Sequence, residues 1–173
     1  IRLPPRSTLF PYTTLCRSHK KYTHKLKVIN FGLATIDEIH ALQLTKEQCR
    51  YYFRMPPYSK VVAIGYNSNP QQNHLKVIDS LAELKDLFQD VVFVVPLTYG
   101  YGSKEYVSSI RAKLKQSGLR HMILTTFMPP NETAMFRKAC DALIQVQDTD
   151  VLSGSMLEHL YAGNAVVTGD WLP

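Results

Sequence analysis

Residues 61–95, VVAIGYNSNPQQNHLKVIDSLAELKDLFQDVVFVV, carry the pattern that decides the fold. Residues 61–64 form a continuous apolar run rich in β-branched side chains, which is typical of a buried parallel strand. Asn69 and Pro70 are a favourable N-cap and first helical residue. Apolar side chains then recur at helical spacing, so we predict an amphipathic helix over 70–89. The run at 91–95 predicts a second strand, and this order of elements predicts a right-handed βαβ unit.

The same alternation continues to the end of the chain. The predicted elements beyond residue 95 are helices over 104–116, 132–140 and 155–162 and strands over 121–125, 142–146 and 165–168. Upstream, the pattern indicates a short strand over 27–31, a weak helix over 36–44 and a helix that opens with a capping-box pattern at 45–48. We therefore predict an α/β fold, with a Rossmann-like parallel sheet covered by helices on both faces.

The first eighteen residues, IRLPPRSTLFPYTTLCRS, resemble a translated sequencing adapter and differ from it only at Leu3 and Cys16. We interpret residues 1–18 as an artefactual, disordered leader and exclude them from the fold. We assign residues 19–58 to a linker and entry elements, and residues 59–173 to one domain. Because the chain ends on an apolar segment, we expect this domain to be truncated at its C-terminus.

Composition argues against several classes of function. The net charge of +6 falls to +3 without the three arginines of residues 1–18, and this is too small to indicate nucleic-acid binding. The remaining cysteines, Cys49 and Cys140, lack metal-ligand spacing and indicate a reduced, cytoplasmic compartment. No apolar run reaches the length of a membrane span, so we expect any membrane association to be peripheral, at the inner face.

Polar residues gather where the predicted strands end. Ligands of parallel α/β sheets bind beyond the carboxyl ends of the strands. Gly, Asn, Tyr, Asp and Ser residues gather in the loops at this edge, which span 65–69, 97–102, 126–130, 147–154 and 169–171. We therefore predict that the functional site lies along this edge.

Two carboxylates near the end of the chain indicate the kind of ligand. Asp150 and Glu158 are eight residues apart and bracket the turn Ser153-Gly154-Ser155, which opens the last predicted helix. Main-chain N–H groups at a helix N-terminus bind anions, and carboxylates accept hydrogen bonds from sugar hydroxyls. This combination predicts a nucleotide-sugar pocket. The alternative is that Glu158 caps the helix as the partner of Ser155 in a Ser-x-x-Glu capping box, and residue spacing alone leaves both readings open.

Three further motifs carry less information. Asp148-Thr149-Asp150 resembles a metal-binding Asp-x-Asp element, but three residues are weak evidence and we predict no metal site. The segment GYNSNPQQNH at 65–74 has one glycine and no lysine, so it is neither a Walker loop nor a dinucleotide fingerprint. The Tyr-Gly-Tyr-Gly sequence at 99–102 fits an aromatic wall or a plain turn equally well.

Taken together, several segments resemble a known family. The segment DTDVLSGSMLEHLYAGNAVVTGDW at 148–171 resembles the donor-site signature of retaining GT-B glycosyltransferases of the family 4 type: an acid, seven residues, a glutamate, then a small-x-Gly-x-x-Val-Val strand. IGYNSNPQQNHLKVIDSLAEL at 64–84 and PPNETAMFRKACDALIQV at 129–146 are similar to two other parts of the same C-terminal donor-nucleotide domain. VVPLTYGYGSKEYVSSIR at 94–111 is more weakly similar to Fuc4NAc transferases.

The resemblance implies a role for each candidate residue. Glu158 would bind the ribose hydroxyls of the nucleotide, and Asp150 would face the donor sugar as the catalytic candidate. The remaining substrate-binding candidates are Ser153, Gly154, Ser155 and Met156, whose amides would approach the diphosphate, and Gly65, Asn67, Gln72, His74 and Tyr99. The family often has an arginine and a lysine where Tyr66 and Gln72 stand here, so neutral donors or the helix dipole would have to hold the phosphates.

The function implied is transfer of a sugar from a nucleotide-sugar donor to a polysaccharide or lipid-linked glycan acceptor, of the kind that builds a bacterial cell envelope. The resemblance implies no cofactor, because the nucleotide sugar is itself a substrate. We expect the fragment to be inactive alone. Two alternatives are a non-catalytic nucleotide- or sugar-binding domain and a nucleotide-sugar epimerase of GT-B architecture.

Overall fold

The computed structural model describes residues 33–149 and 153–171, and within them five parallel strands form one sheet. The strands are β1 (Lys60–Ile64), β2 (Val91–Pro96), β3 (His121–Leu124), β4 (Ala142–Gln145) and β5 (Ala165–Thr168). Their order across the sheet is β3-β2-β1-β4-β5. Because β1 and β4 are neighbours while their connections lead to opposite edges, the order reverses between them, as in doubly wound folds.

Six α-helices pack against this sheet in the described part of the chain. They are α1 (Ala34–Ala41), α2 (Lys46–Tyr52), α3 (His74–Glu83), α4 (Lys104–Ser117), α5 (Pro130–Ala139) and α6 (Gly154–Tyr161). The capping box predicted at the start of α2 is confirmed, since Thr45 and Gln48 exchange side-chain and main-chain hydrogen bonds. None of these helices is long and apolar enough to cross a membrane.

Apolar side chains of β2 alternate between the two faces of the sheet. Val92 and Val94 join one core cluster, which includes Phe136 of α5. Phe93 and Val95 join a second cluster, which includes residues of α3 and α4. The sheet is therefore buried on both faces, and the predicted α/β architecture is confirmed.

Two helices differ from their predicted bounds. The single helix predicted over 70–89 is wrong: a 3₁₀ turn (Pro70–Gln72), α3 and a second 3₁₀ turn (Lys85–Phe88) replace it. The break falls at Asn73, whose main chain is left-handed with φ of 56° while its side chain bonds to the loop after β4. The helix predicted over 132–140 begins two residues earlier, at Pro130, with Pro129 in the N-cap position. The predicted leader and the strand over 27–31 lie outside the described residues.

A buried arginine attaches α2 to the edge of the sheet where the strands begin. Arg50 donates from Nη2 to Asp141 Oδ2 at 2.5 Å and from Nε to the Ala139 carbonyl at 3.0 Å. Asp141 also accepts hydrogen bonds from Lys46 Nζ at 3.0 Å and from the Val61 N–H at 2.7 Å. Burial alone would raise the pKa of Asp141, but the N–H donor and the two cations together lower it. One carboxylate thus joins α2, β1 and the start of β4.

Replacing Asp141 by asparagine is expected to lower the free energy of unfolding by about 2 kcal/mol, because the buried Arg50 loses its counter-charge while the side-chain shape is kept. Urea denaturation followed by far-UV circular dichroism measures this. The matched control is Asp79→Asn, which removes an exposed ion pair with Lys113 and should change stability by no more than about 0.5 kcal/mol. Equal effects of the two substitutions would contradict the assignment.

Candidate functional site

Those predicted site residues that the structure describes lie at the carboxyl edge of the sheet, where the strand order reverses. Gly65, Asn67 and Gln72 follow β1, and the residues that open α6 follow β4, its neighbour in the sheet. Tyr99 follows β2 on the other side of β1. Neighbouring parallel strands therefore place three loops side by side, and this crevice is the usual ligand position in such sheets.

The carboxamide of Gln147 connects the loop after β4 with the loop after β1. Its Oε1 accepts a hydrogen bond from Gln72 Nε2 and a longer one from Tyr66 Oη, at 3.4 Å. Its Nε2 donates to the Thr149 carbonyl at 2.6 Å. The main-chain carbonyl of Gln147 accepts a hydrogen bond from Trp171 Nε1 at 3.0 Å. Gln147 is largely buried, so neutral amides rather than cations hold this corner together.

Beneath the loop after β1, His74 is completely buried. Its Nδ1 lies 3.1 Å from Tyr106 Oη. Burial lowers the pKa of His74 to about 4, and a main-chain hydrogen bond with Asn67 opposes this only in part. A Cβ atom on Gly65, which has φ of +65°, would lie 2.8 Å from His74 Nε2. The glycine is needed because the neutral imidazole lies directly against its main chain.

Tyr99 forms the half-exposed wall of the crevice. Its carbonyl accepts hydrogen bonds from the N–H and Oγ of Ser68, at 2.8 and 2.9 Å, so the loops after β1 and β2 are fastened to each other. Burial raises the pKa of the Tyr99 hydroxyl, while the Asn67 side chain and the charge of Arg137 act against that rise. The charge of Glu158 also acts on it, which brings the wall within electrostatic reach of α6.

Ser153 is the N-cap of α6. Its Oγ accepts from the Met156 N–H at 3.3 Å and exchanges hydrogen bonds with the buried Gln145 side chain at 2.9 and 3.1 Å. Ser155 lies inside the helix, and its buried Oγ has no hydrogen-bond partner among the described residues. The capping alternative for Glu158 is therefore wrong, since the cap is two residues upstream of Ser155. Gly154 and Ser155 place their amides in the first turn, where the helix dipole favours an anion.

Glu158 is held by an arginine from the preceding helix. Arg137 Nε donates to Glu158 Oε2 at 3.0 Å, and the two side chains are only 5% and 11% exposed. The other oxygen, Oε1, contacts no hydrogen-bond donor among the described residues. Within the described part of the chain, one carboxylate oxygen is thus held by Arg137 and the other accepts no hydrogen bond.

The acidic residues of the loop after β4 are placed only in part. Asp148 is exposed, and its Oδ1 accepts from Asn73 Nδ2 at 2.9 Å. Asp150, the catalytic candidate, lies outside the described residues, so its role remains a prediction. Within the described ranges, no group of three His, Cys, Asp or Glu side chains could hold a metal ion.

Two residues of this site were missed by the sequence reading. Arg137 lies between the buried Phe136 and Ala139, and a charge on an apolar helix face indicates a buried ion-pair partner. Gln147 directly follows the apolar run of β4 at the predicted ligand edge, but nothing in the sequence marks its three loop contacts. The signal for Arg137 was present; that for Gln147 was not.

A cavity of about 670 Å³ opens elsewhere, between α2 and α5. It is lined by Leu44, Gln48, Tyr51, Tyr52, Arg54, Met55 and Met135. None of the predicted site residues contributes to it. Because its lining offers neither a free carboxylate nor a helix N-terminus, the carboxyl edge is the better candidate despite being more open.

No protein-family model and no curated protein matches the chain. Solved structures do match. A glycosyltransferase from Rickettsia africae has a TM-score of 0.69 at 14% identity over 91% of this chain and 42% of its own. Anabaena HepE, solved with UDP-glucose, has a TM-score of 0.60 at 20% identity over 83% of this chain and 38% of its own. The C-terminal domain of a group 1 glycosyl transferase from Francisella tularensis has a TM-score of 0.63 at 16% identity over 79% of this chain and 70% of its own.

These likenesses establish the fold: a Rossmann-like domain of the kind that forms the C-terminal half of GT-B glycosyltransferases, as predicted. The chain spans about two-fifths of the length of the two longer proteins.

Proposed function

We propose that this chain is the donor-nucleotide domain of a glycosyltransferase. It would hold a nucleotide sugar while the sugar passes to a polysaccharide or lipid-linked glycan acceptor. The observation that carries the proposal is Glu158, a nearly buried carboxylate with one oxygen held by Arg137 and the other without a hydrogen-bond donor among the described residues. A solved protein of the same fold binds UDP-glucose, which supports the choice of ligand.

In this proposal each part of the crevice has one task. Glu158 accepts hydrogen bonds from the ribose hydroxyls. The first-turn amides of α6 approach the diphosphate, with the unpartnered Ser155 Oγ close in sequence to serve as a further donor. Asp150 faces the donor sugar. Stabilising charge on the departing nucleoside diphosphate is the main catalytic task that such a domain performs.

The loops of the crevice supply no lysine or arginine to the phosphate end of the pocket. No lysine or arginine occurs in residues 65–74, 97–103, 125–131, 146–156 or 169–171. The helix dipole and neutral donors such as Gln72 would therefore face the phosphates. Any further positive charge would come from the acceptor-binding half of the enzyme, and we invoke no metal or cofactor. A cytoplasmic location, with peripheral association at the membrane that carries a lipid-linked acceptor, completes the proposal.

Isothermal titration of the chain with UDP, GDP, ADP, CDP and dTDP tests the proposal. We expect one of them to bind with a Kd between about 1 μM and 1 mM, the usual range of enzyme substrates. Glu158→Gln should weaken that binding about tenfold, because an amide oxygen accepts hydroxyl hydrogen bonds more weakly than a carboxylate while still accepting from Arg137.

The matched control is Glu83→Gln, the same chemical change at the exposed end of α3, which should leave the Kd unchanged. Absence of binding by all five nucleotides, or equal binding by wild type and Glu158→Gln, would rule the proposal out. The full-length enzyme that contains this domain is then incubated with the matching nucleotide sugar, with and without acceptor. The product formed distinguishes transfer from epimerisation.

A further inference from the structure

We propose that Arg137 is a positioning residue of this site: it fixes the Glu158 carboxylate so that Oε1 faces the ribose hydroxyls, and nucleotide affinity depends on it. This inference rests on the proposed function. It adds a residue on a different helix, 21 positions upstream of Glu158 in the sequence. Arg137 would not touch the nucleotide itself.

The geometry around Arg137 leaves it little freedom. Its Nε bonds to Glu158 Oε2 at 3.0 Å and its Nη1 lies 3.2 Å from His159 Nε2. Its carbonyl accepts from Asn164 Nδ2 at 2.7 Å, and its guanidinium carbon lies 5.5 Å from the centre of the Phe136 ring. Contacts on two sides of the guanidinium, together with a fixed main chain, specify one orientation of the side chain. The carboxylate bonded to it is held equally firmly.

The charges explain why this orientation is kept. A buried guanidinium without a counter-charge is strongly unfavourable, so Arg137 requires Glu158. The neighbouring His159 is completely buried, and both burial and the Arg137 charge lower its pKa, to about 2. His159 is therefore neutral and accepts a hydrogen bond from Arg137 instead of competing for the carboxylate. Glu158 remains the single anion in contact with Arg137 among the described residues.

The ion pair also lies within electrostatic range of the wall of the proposed ligand crevice. The charges of both Arg137 and Glu158 act on the hydroxyl of Tyr99, in opposite directions. Tyr99 is half exposed and forms the wall of that crevice. A carboxylate fixed beside this wall meets a nucleotide already oriented, so binding does not have to order its side chain. Without Arg137, Glu158 would turn toward solvent and lose that advantage.

The test compares two ligands that differ only at the ribose. UDP and 2′,3′-dideoxy-UDP are titrated into the chain; if the nucleotide panel selects another base, the same pair with that base is used. The wild type should bind UDP at least about tenfold more tightly, from hydroxyl bonds to a charged acceptor. In Arg137→Met this ratio should fall to about one or two. Arg137→Lys, which keeps the charge and one donor, should restore most of it.

Two further variants separate positioning from folding. Arg137→Met/Glu158→Gln removes both charges, so no buried carboxylate is left unpaired, and its ratio should equal that of Glu158→Gln alone. Arg111→Met makes the same change at an exposed position of α4 and should leave the ratio unchanged. A merely structural role would weaken both ligands equally, and the ratio would not move.

If Arg137→Met keeps the wild-type ratio of the two affinities, the positioning role is overturned and the proposed function stands. A wild type that binds UDP with a ratio near one overturns the ribose role of Glu158, and with it this inference, although nucleotide binding stands. A wild type that binds no nucleotide overturns both.

Discussion

Lowering the pH from 7 to 5 is expected to reduce the free energy of unfolding by about 4 kcal/mol, because two buried histidines stay neutral in the folded chain. Burial lowers the pKa of His74 to about 4. Burial and the charge of Arg137 lower that of His159 to about 2. In the unfolded chain both have a pKa of about 6.5. Their contribution is complete above that value and is lost as the pH falls toward the folded-state values.

The size of the effect follows from proton linkage. Between the two pKa values the unfolded chain binds one more proton per histidine than the folded chain, so each histidine lowers stability by about 1.4 kcal/mol per pH unit. At pH 5 this gives about 2 kcal/mol for each of them. The loss from His74 stops near its folded pKa, whereas the loss from His159 continues to lower pH. Asp141, with its lowered pKa, adds a loss only at more acidic pH.

Urea denaturation at half-unit steps from pH 8 to pH 5 measures this dependence. His74→Gln and His159→Gln should each remove about half of the slope, and the double variant should remove nearly all of it. His121→Gln is the control, because His121 is exposed on β3 and its replacement should leave the slope unchanged. A stability that is flat from pH 7 to 5 in the wild type would contradict the neutral, buried state of both imidazoles.

The fold was predictable because its signals are local. Continuous β-branched runs mark β1 and β2, and β5 falls at the predicted residues, Ala165–Thr168. The helix break at Asn73 was not predictable, because the apolar spacing runs through it without a fault. What breaks the helix is tertiary: the Asn73 side chain donates to the Val146 carbonyl and to Asp148, more than seventy residues away.

In the site, too, local features were predictable and tertiary contacts were not. Glu158 could be selected from its spacing to Asp150 and the turn between them, since the small residues that open α6 are local. That Glu158 does not cap the helix could not be predicted, because the N-cap is Ser153 rather than Ser155, and its ion-pair partner Arg137 comes from another helix. Gln147 was missed for the same reason: its carboxamide bonds to residues after β1, and its main-chain carbonyl accepts a hydrogen bond from Trp171 after β5. Local sequence identifies candidate residues, but their contacts depend on packing between distant elements.

Replacing Gly102 by alanine is expected to destabilise the chain by about 3 kcal/mol and to weaken nucleotide binding, because no space exists for the added methyl group. A Cβ atom on Gly102 would lie 2.2 Å from the Ser68 carbonyl oxygen and 3.1 Å from the Ser68 carbonyl carbon. The main chain of Gly102 is not in the left-handed region, so alanine itself is not strained there. The whole effect comes from the contact between the loops after β1 and β2.

Ser68 cannot yield without releasing the crevice. Its N–H and Oγ both bond to the Tyr99 carbonyl, at 2.8 and 2.9 Å, and its Oγ accepts from the Gly102 N–H at 3.3 Å. Relief of the overlap would separate the two loops and shift Tyr99 away from Asn67. Stability and nucleotide binding should therefore fall together. The glycines of the Tyr-Gly-Tyr-Gly sequence thus admit the neighbouring loop, and the aromatic wall stays a prediction.

Gly154→Ala provides the matched control, since Gly154 also has an ordinary main-chain conformation and lies beside the proposed diphosphate position. Its added Cβ would meet only the end of the Leu33 side chain, at 3.3 Å, which can move. Alanine is also the better helix residue by about 1 kcal/mol, so stability should stay level or rise. Thermal unfolding compares the stability of the two variants, and UDP titration compares Gly102→Ala with the wild type. If Gly102→Ala proves as stable as Gly154→Ala, the two loops are not fixed to each other, and the wall does not shape the pocket.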